Sequence, residues 1–317
     1  MTRLGLALSG EQHPPNDLVE KARRAEEIGL EFALISDHFH PWLDEQDESS
    51  YVWTTLGGMA RETDDIEIGT GVTCPIIRYR PVILAQATAT TAEMMDGRFF
   101  FGVGTGENLN EHVTGDRWPP HHVRVDMLGE AVDVIRGLWE GDMYNHDGDH
   151  YTVENAKIYT RPESPPPIHV AAGGQEMADA ASEFGDGLIS TAPDESLVET
   201  FDEGGDSDRP HYGQMNACFA RSQDEAKEIA YEEWRNGGLK GELGQQLATP
   251  KQFDQATQMV DPDELADSMA LGRDAGQYVE SIEKYRDAGF ENVYVHQVNP
   301  DAEGFFEFFE SDVLSQF

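Results

Sequence analysis

Phe32-Ala-Leu-Ile-Ser-Asp-His-Phe-His-Pro-Trp42 begins as an apolar run and ends by crowding an acid, two imidazoles and an indole together. Phe32–Ile35 is too brief for a helix and is bounded by polar residues, so it reads as a short buried strand. Asp37 and His38 then emerge at its C-terminal end, the end that carries the active site in parallel α/β folds. The plainer reading of the same residues is an acid that caps the next segment and a histidine that is merely packed.

Outward from this stretch, strand and helix signals alternate. Leu4–Leu8 precedes it as a strand, followed by a helix with Asn16 as its N-cap and Leu18, Ala22, Ala25 and Ile28 on one face, stopped at Gly29. After it come a helix over 52–61, a strand over 66–72, a helix over 81–95 opened by Pro81, and the continuous apolar strand Phe99–Val103 behind an Asp96-Gly97 turn. A long helix over 121–139 leads to a hairpin about Asp147-Gly148. Strands at 167–171, 187–190 and 213–220 follow, with a helix over 176–184. A mostly helical insertion, about 224–289, separates the seventh strand from the closing one, Asn292–His296. Phe305, Phe306, Phe308, Phe309 and Leu314 suit a final amphipathic helix. Eight strands alternating with helices predict an α/β fold, a (β/α)8 TIM barrel with insertions, formed by a single domain over 1–317.

The formal net charge is −39, with lysine only at positions 21, 157, 227, 240, 251 and 284. Such a field repels phosphate backbones and anionic lipid, which excludes nucleic acid and membrane surfaces as partners. The acids are spread among periodic apolar residues, so the composition reads as a folded protein with a halophile-type surface and not as disorder. No signal peptide or membrane-spanning run is visible, and the expectation is a soluble, cytoplasmic protein. Cys74 and Cys218 lack the spacing of a metal site. Asn145-x-Asp147-Gly-Asp149 with Glu154 faintly resembles a calcium loop, but Met143 stands where the first ligand belongs, so no metal is expected.

Two glycine-rich stretches remain. Gly102-Val-Gly-Thr-Gly106 follows a strand, yet its GxGxG spacing lacks the third glycine of a nicotinamide fingerprint. Its glycines would let the backbone approach a ligand at the strand mouth, with Glu107 the first titratable group beyond. Gly173-Gly174, opening a helix, offers backbone N–H groups to an anion.

Taken jointly, Ser36-Asp-His-Phe-His-Pro-Trp42, Gly102-Val-Gly-Thr-Gly-Glu-Asn-Leu-Asn-Glu111 and Ala171-Ala-Gly-Gly174 resemble the luciferase-like TIM-barrel oxidoreductases that use the deazaflavin coenzyme F420. Within that family they are similar to the branch of F420-dependent glucose-6-phosphate and secondary alcohol dehydrogenases. The resemblance covers nearly the whole chain and is weakest between Val198 and Gly272. It implies that Asp37, Thr105, Gly106 and Asn110 contact the deazaflavin and its ribityl chain, and that Gly173, Gly174, Glu176 and Met177 cradle the phosphate. It also implies that Gly71-Val72 forms a non-proline cis peptide whose Val72 presses on the ring. Cys74 falls where the family has a cofactor-contacting threonine. His38, Trp42 and Glu107 match the catalytic group, and Thr191 matches a substrate-contacting threonine. A homodimer is implied as well.

These residue types suit hydride transfer between an alcohol or sugar carbon and the deazaflavin. His38 is a natural base at neutral pH, Trp42 can wall the pocket and donate its N–H to the substrate oxygen, and Glu107 can exchange a proton. Either His38 or Glu107 could be the base. A flavin mononucleotide (FMN) monooxygenase on the same barrel, or a barrel that binds cofactor without turnover, are the other readings. The substrate is expected to be a neutral alcohol or sugar, because Asp194 stands where a phosphate-binding lysine belongs, and ungapped counting places Ser268 and Gly244 at the other two cationic positions. Lys240, Lys251 and Arg273 are the available substitutes. Histidines outside the opening stretch are expected at the surface or behind the reacting groups.

Overall fold

The computed structural model describes residues 2–205, 208–300 and 304–317. Eight parallel strands form the centre: β1 (Arg3–Leu8), β2 (Phe32–Ile35), β3 (Glu67–Thr70), β4 (Phe99–Val103), β5 (Ile168–Ala171), β6 (Gly187–Ser190), β7 (His211–Cys218) and β8 (Asn292–Gln297). Each pairs with the next, and β8 pairs back onto β1, closing a TIM barrel. Helices α1 (Pro15–Glu27), α2 (Val52–Glu62), α3 (Pro81–Met95), α4 (His121–Trp139), α5 (Gln175–Phe184) and α6 (Glu195–Glu203) follow the first six strands. Beyond β7 the chain runs through α7 (Gln223–Trp234), short helices at Leu243–Gln246, Pro250–Thr257 and Pro262–Ala266, and α8 (Ala275–Asp287) before it reaches β8.

Alternation along the strands fills the barrel. Phe32, Leu34, Phe100, Ile189, Tyr212 and Tyr294 point inward and pack on one another, with Phe32 edge-on to Tyr212 at 5.2 Å. Large rings are admitted because small residues face them. A Cβ on Gly69 would lie 2.0 Å from the Phe100 ring, and one on Gly5 would lie 2.6 Å from Phe32. This layer is the floor of the site above it.

Several local expectations are corrected. Helix α1 starts at Pro15 with Pro14 as its N-cap, so Asn16 lies inside the first turn and does not cap. Strand β3 ends at Thr70, short of the expected Val72, and the Gly71–Val72 peptide bond is cis. Strand β7 begins two residues earlier than expected, at His211. Helix α6 was not expected, although Asp194 caps it by accepting from the Ser196 backbone N–H at 3.0 Å. A two-residue strand, Ala270–Leu271, adds to β7 inside the insertion. The terminal segment is α-helical only over Phe305–Phe308 and continues as a π-turn over Phe309–Val313. Its phenylalanines are buried, as the pattern required.

Candidate active site

The C-terminal ends of the strands surround a cleft of about 800 Å³. His38, Trp42, Glu107, Asp37, Val72, Cys74, Thr105, Gly106, Asn110, Gly173, Gly174, Glu176, Met177 and Thr191 all line it. Gly102 does not, since it sits within β4, where a Cβ would strike the Thr70 carbonyl at 1.9 Å; its smallness serves strand packing and not a ligand. Asp194, Ser268, Gly244, Lys240, Lys251 and Arg273 are also outside the lining. Lys240 pairs with Glu264, and the Arg273 guanidinium lies over the Phe219 ring.

His38 and Trp42 meet edge to face at 4.3 Å, and the Trp42 indole N–H donates to Glu107 Oε2 at 2.9 Å. The indole N–H, expected to be able to donate to the substrate oxygen, is here engaged by Glu107. Burial raises the Glu107 pKa, while the nearby His38 and the Trp42 N–H draw it back. Behind His38 stands Glu11, which is 1 % exposed. Its Oε2 accepts from Ser9 Oγ at 2.9 Å and Ser36 Oγ at 2.8 Å, and its Oε1 lies 3.1 Å from His38 Nδ1.

Asp37 and Glu111, also in the lining, are held differently. Asp37 accepts from Thr73 Oγ1 at 2.7 Å, Arg78 at 3.0 Å and Tyr79 Oη at 3.3 Å. Arg78 also reaches Glu111, whose Oε2 accepts the Arg78 backbone N–H at 2.8 Å. Asn110 Oδ1 accepts from the backbone N–H groups of Phe39 and His40 at 2.9 and 3.1 Å, which fixes the loop that carries His38. Gly106 adopts φ +74°, and a Cβ there would lie 2.4 Å from Cys74 Sγ, so only glycine fits. Gly174 is the N-cap of α5, and nothing lies within 4 Å of where a Cβ on Gly173 or Gly174 would stand. The opening of α5 is therefore an uncovered run of backbone facing the cleft.

This geometry has known counterparts. Residues 1–292 match the family described as luciferase-like monooxygenase. The chain belongs to that family. It is 35 % identical to the F420-dependent glucose-6-phosphate dehydrogenase of Amycolatopsis mediterranei (strain U-32), covering 99 % of this chain and 98 % of the relative. It is 34 % identical to the F420-dependent hydroxymycolic acid dehydrogenase of Mycobacterium tuberculosis (strain ATCC 25618 / H37Rv), covering 99 % and 88 %. Among solved structures, an F420-dependent secondary alcohol dehydrogenase in complex with an F420-acetone adduct superposes with a TM-score of 0.92 at 31 % identity, covering 99 % and 98 %.

The luciferase-like barrel of this chain also brings in residues that the sequence did not single out. Glu11 follows β1 as Asp37 follows β2, so a polar residue just past a strand end was the available signal. Arg78 gave no signal, because its two carboxylate partners lie 41 and 33 residues away along the chain. Trp234 and His296 line the cleft too. Four histidines expected at the surface or behind the site are buried: His13, His169, His211 and His296. Burial pushes His169 and His296 down to about 4 and His13 to about 3. For His211 burial acts downward, but Glu291 and Asp202 raise the pKa overall.

Proposed function

We propose that this chain oxidises a neutral alcohol, or reduces the matching carbonyl, by hydride exchange with F420, with His38 as base and Glu107 as proton-carrying acid. That it is an F420-dependent oxidoreductase follows from relatives that share about a third of its residues over nearly its full length. The observation that carries the proposed chemistry is the convergence of His38, Trp42 and Glu107 on one edge of the cleft.

The residues present suit the cofactor. The uncovered backbone at Gly173-Gly174 and the first turn of α5, including the N–H of Glu176, would hold its phosphate without any side-chain cation. Asn110, Thr105 and Gly106 would border its ring and ribityl chain, with Val72 and Cys74 behind. When bound, F420 supplies the ring carbon C5, which takes or gives the hydride. The chain supplies the proton path. Glu11 faces His38 Nδ1, leaving Nε2 to accept the substrate hydroxyl proton. Glu107, whose burial favours the neutral acid, would carry a proton beside the Trp42 indole N–H.

Among the described residues the lining contains Glu11, Asp37, Glu107, Glu111, Glu176 and Glu242 but no lysine or arginine, which disfavours an anionic substrate. A sugar phosphate would meet repulsion with no bidentate partner. Thr191, at the cleft edge, is left as a neutral contact for the substrate. The acidic surface supports a second reading, that the fold requires salt to screen its self-repulsion.

The test is to incubate the purified protein at high salt with F420 and follow deazaflavin absorbance with secondary alcohols, free sugars and glucose 6-phosphate. Turnover of neutral alcohols is expected. Oxygen-dependent turnover with FMN and none with F420, or a preference above about tenfold for the phosphate ester (roughly 1.4 kcal/mol of transition-state binding), would overturn the reading.

A further inference from the structure

His296 is an inward-facing residue of β8, directly above the Tyr294 of the barrel floor and in register with Asn216 of β7. It lines the cleft and is only 3 % exposed. Its Nδ1 lies 3.2 Å from Asn216 Oδ1, an oxygen that Gln214 Nε2 also approaches at 3.4 Å. With Asn216 presenting its oxygen, Nδ1 carries the ring proton and Nε2 is a bare acceptor. No donor among the described residues reaches Nε2. Burial pushes the imidazole down to about 4, so the ring stays neutral at physiological pH. Leaving such an acceptor unpaired is costly, and nothing in the hydride chemistry above uses it.

The ring also has a defined place relative to the reacting groups. Trp234 meets the His296 ring at 4.2 Å and Trp42 at 5.1 Å, and Trp42 in turn meets His38 at 4.3 Å. One aromatic wall therefore runs from the reacting edge to the orphan acceptor. A molecule whose reacting carbon sits at His38 and Glu107 would lay its remaining atoms along that wall.

We propose that His296 is a specificity-determining residue whose Nε2 accepts a hydrogen bond from a second hydroxyl of the substrate, so that diols and polyols are preferred over monohydric alcohols. This rests on the alcohol-oxidation reading above. A buried group built to bond a hydroxyl discriminates against the analogue that lacks it, because the acceptor is then left unpaired. An apolar residue of similar size at 296 would remove that discrimination without touching His38, Trp42 or Glu107.

The experiment compares kcat/KM for 2-hexanol with those for 2,3-, 2,4- and 2,5-hexanediol, a series that varies the distance between the hydroxyls. It uses wild type, His296→Phe and His296→Gln, with F420 binding followed by fluorescence and folding by circular dichroism. Wild type is expected to favour at least one diol by about tenfold. His296→Phe should lose that preference, read as the ratio of diol to 2-hexanol kcat/KM, while F420 affinity and folding are kept, and His296→Gln, which returns an acceptor, should recover part of it. Oxidation of 2-hexanol with no diol preference in wild type, or a preference that survives in a folded His296→Phe, overturns this proposal alone. Failure of wild type to oxidise any alcohol despite F420 binding overturns both this proposal and the alcohol reading.

Discussion

Two pairs of acids line the cleft, and they are balanced in opposite ways. Asp37 and Glu111 share one guanidinium, that of Arg78. Glu11 and Glu107 share none: their partners are the hydroxyls of Ser9 and Ser36, the indole of Trp42 and the imidazole of His38. Burial raises the pKa of both Glu111 and Glu107, but only Glu111 has a full positive charge against it. A carboxylate neutralised by a fixed cation is scaffold, because it has nothing to exchange. Glu107, whose neutral form burial favours and which no such cation opposes, is better placed to give up a proton.

The largest effect should come from breaking the balanced side. Arg78→Met leaves two buried carboxylates without their cation and should cost about 3–5 kcal/mol of stability, read as a lowered Tm. On the other side the expected loss is in rate. Glu107→Gln and His38→Ala should each cut turnover by roughly 10²-fold while F420 affinity is kept, and unchanged rates in both would remove their assigned roles.

Glu107→Gln should also change stability in the direction opposite to Arg78→Met. The raised folded-state pKa means that the native protein keeps a proton the unfolded chain releases, so stability falls as pH rises from the ordinary carboxylate value of about 4.5 through the raised one. Glutamine abolishes that fall, so its Tm advantage over wild type should open as pH rises above about 4.5. A constant gap would show that Glu107 ionises freely.

Smaller effects sharpen the picture. Glu11→Gln keeps the shape behind His38 but loses the charge, and should lower kcat by about tenfold with little change in KM. Asp194→Ala should cost about 1 kcal/mol through the lost cap of α6 and leave kcat/KM unmoved; a change in substrate preference would return Asp194 to the substrate site.

Much of this architecture is legible in the sequence because strands buried on both faces are short apolar runs with sharp polar ends. The 32–42 stretch shows both a strand and the groups displayed at its mouth. Helix α6 is hard to see in the sequence because Asp194 draws attention as a missing cation, whereas its bonds to Ser196 make it a cap. His296 becomes visible only through register, since what makes it part of the site is the pairing of β8 with β7. The partner of the Trp42 N–H is likewise a matter of folding, 65 residues along the chain.

The uncovered backbone at Gly173-Gly174 has a consequence for how the protein responds to its medium. Anion sites built on lysine and arginine weaken as ions compete for the side-chain charge. In the proposed site the holding groups are N–H dipoles fixed in the chain, while the long-range field that an anionic cofactor would cross belongs to a protein of net charge −39. Added electrolyte shortens the reach of that opposing field and leaves the short-range donors in place. The dissociation constant for F420 should therefore fall as ionic strength rises, a slope of opposite sign to that of a cation-lined nucleotide pocket.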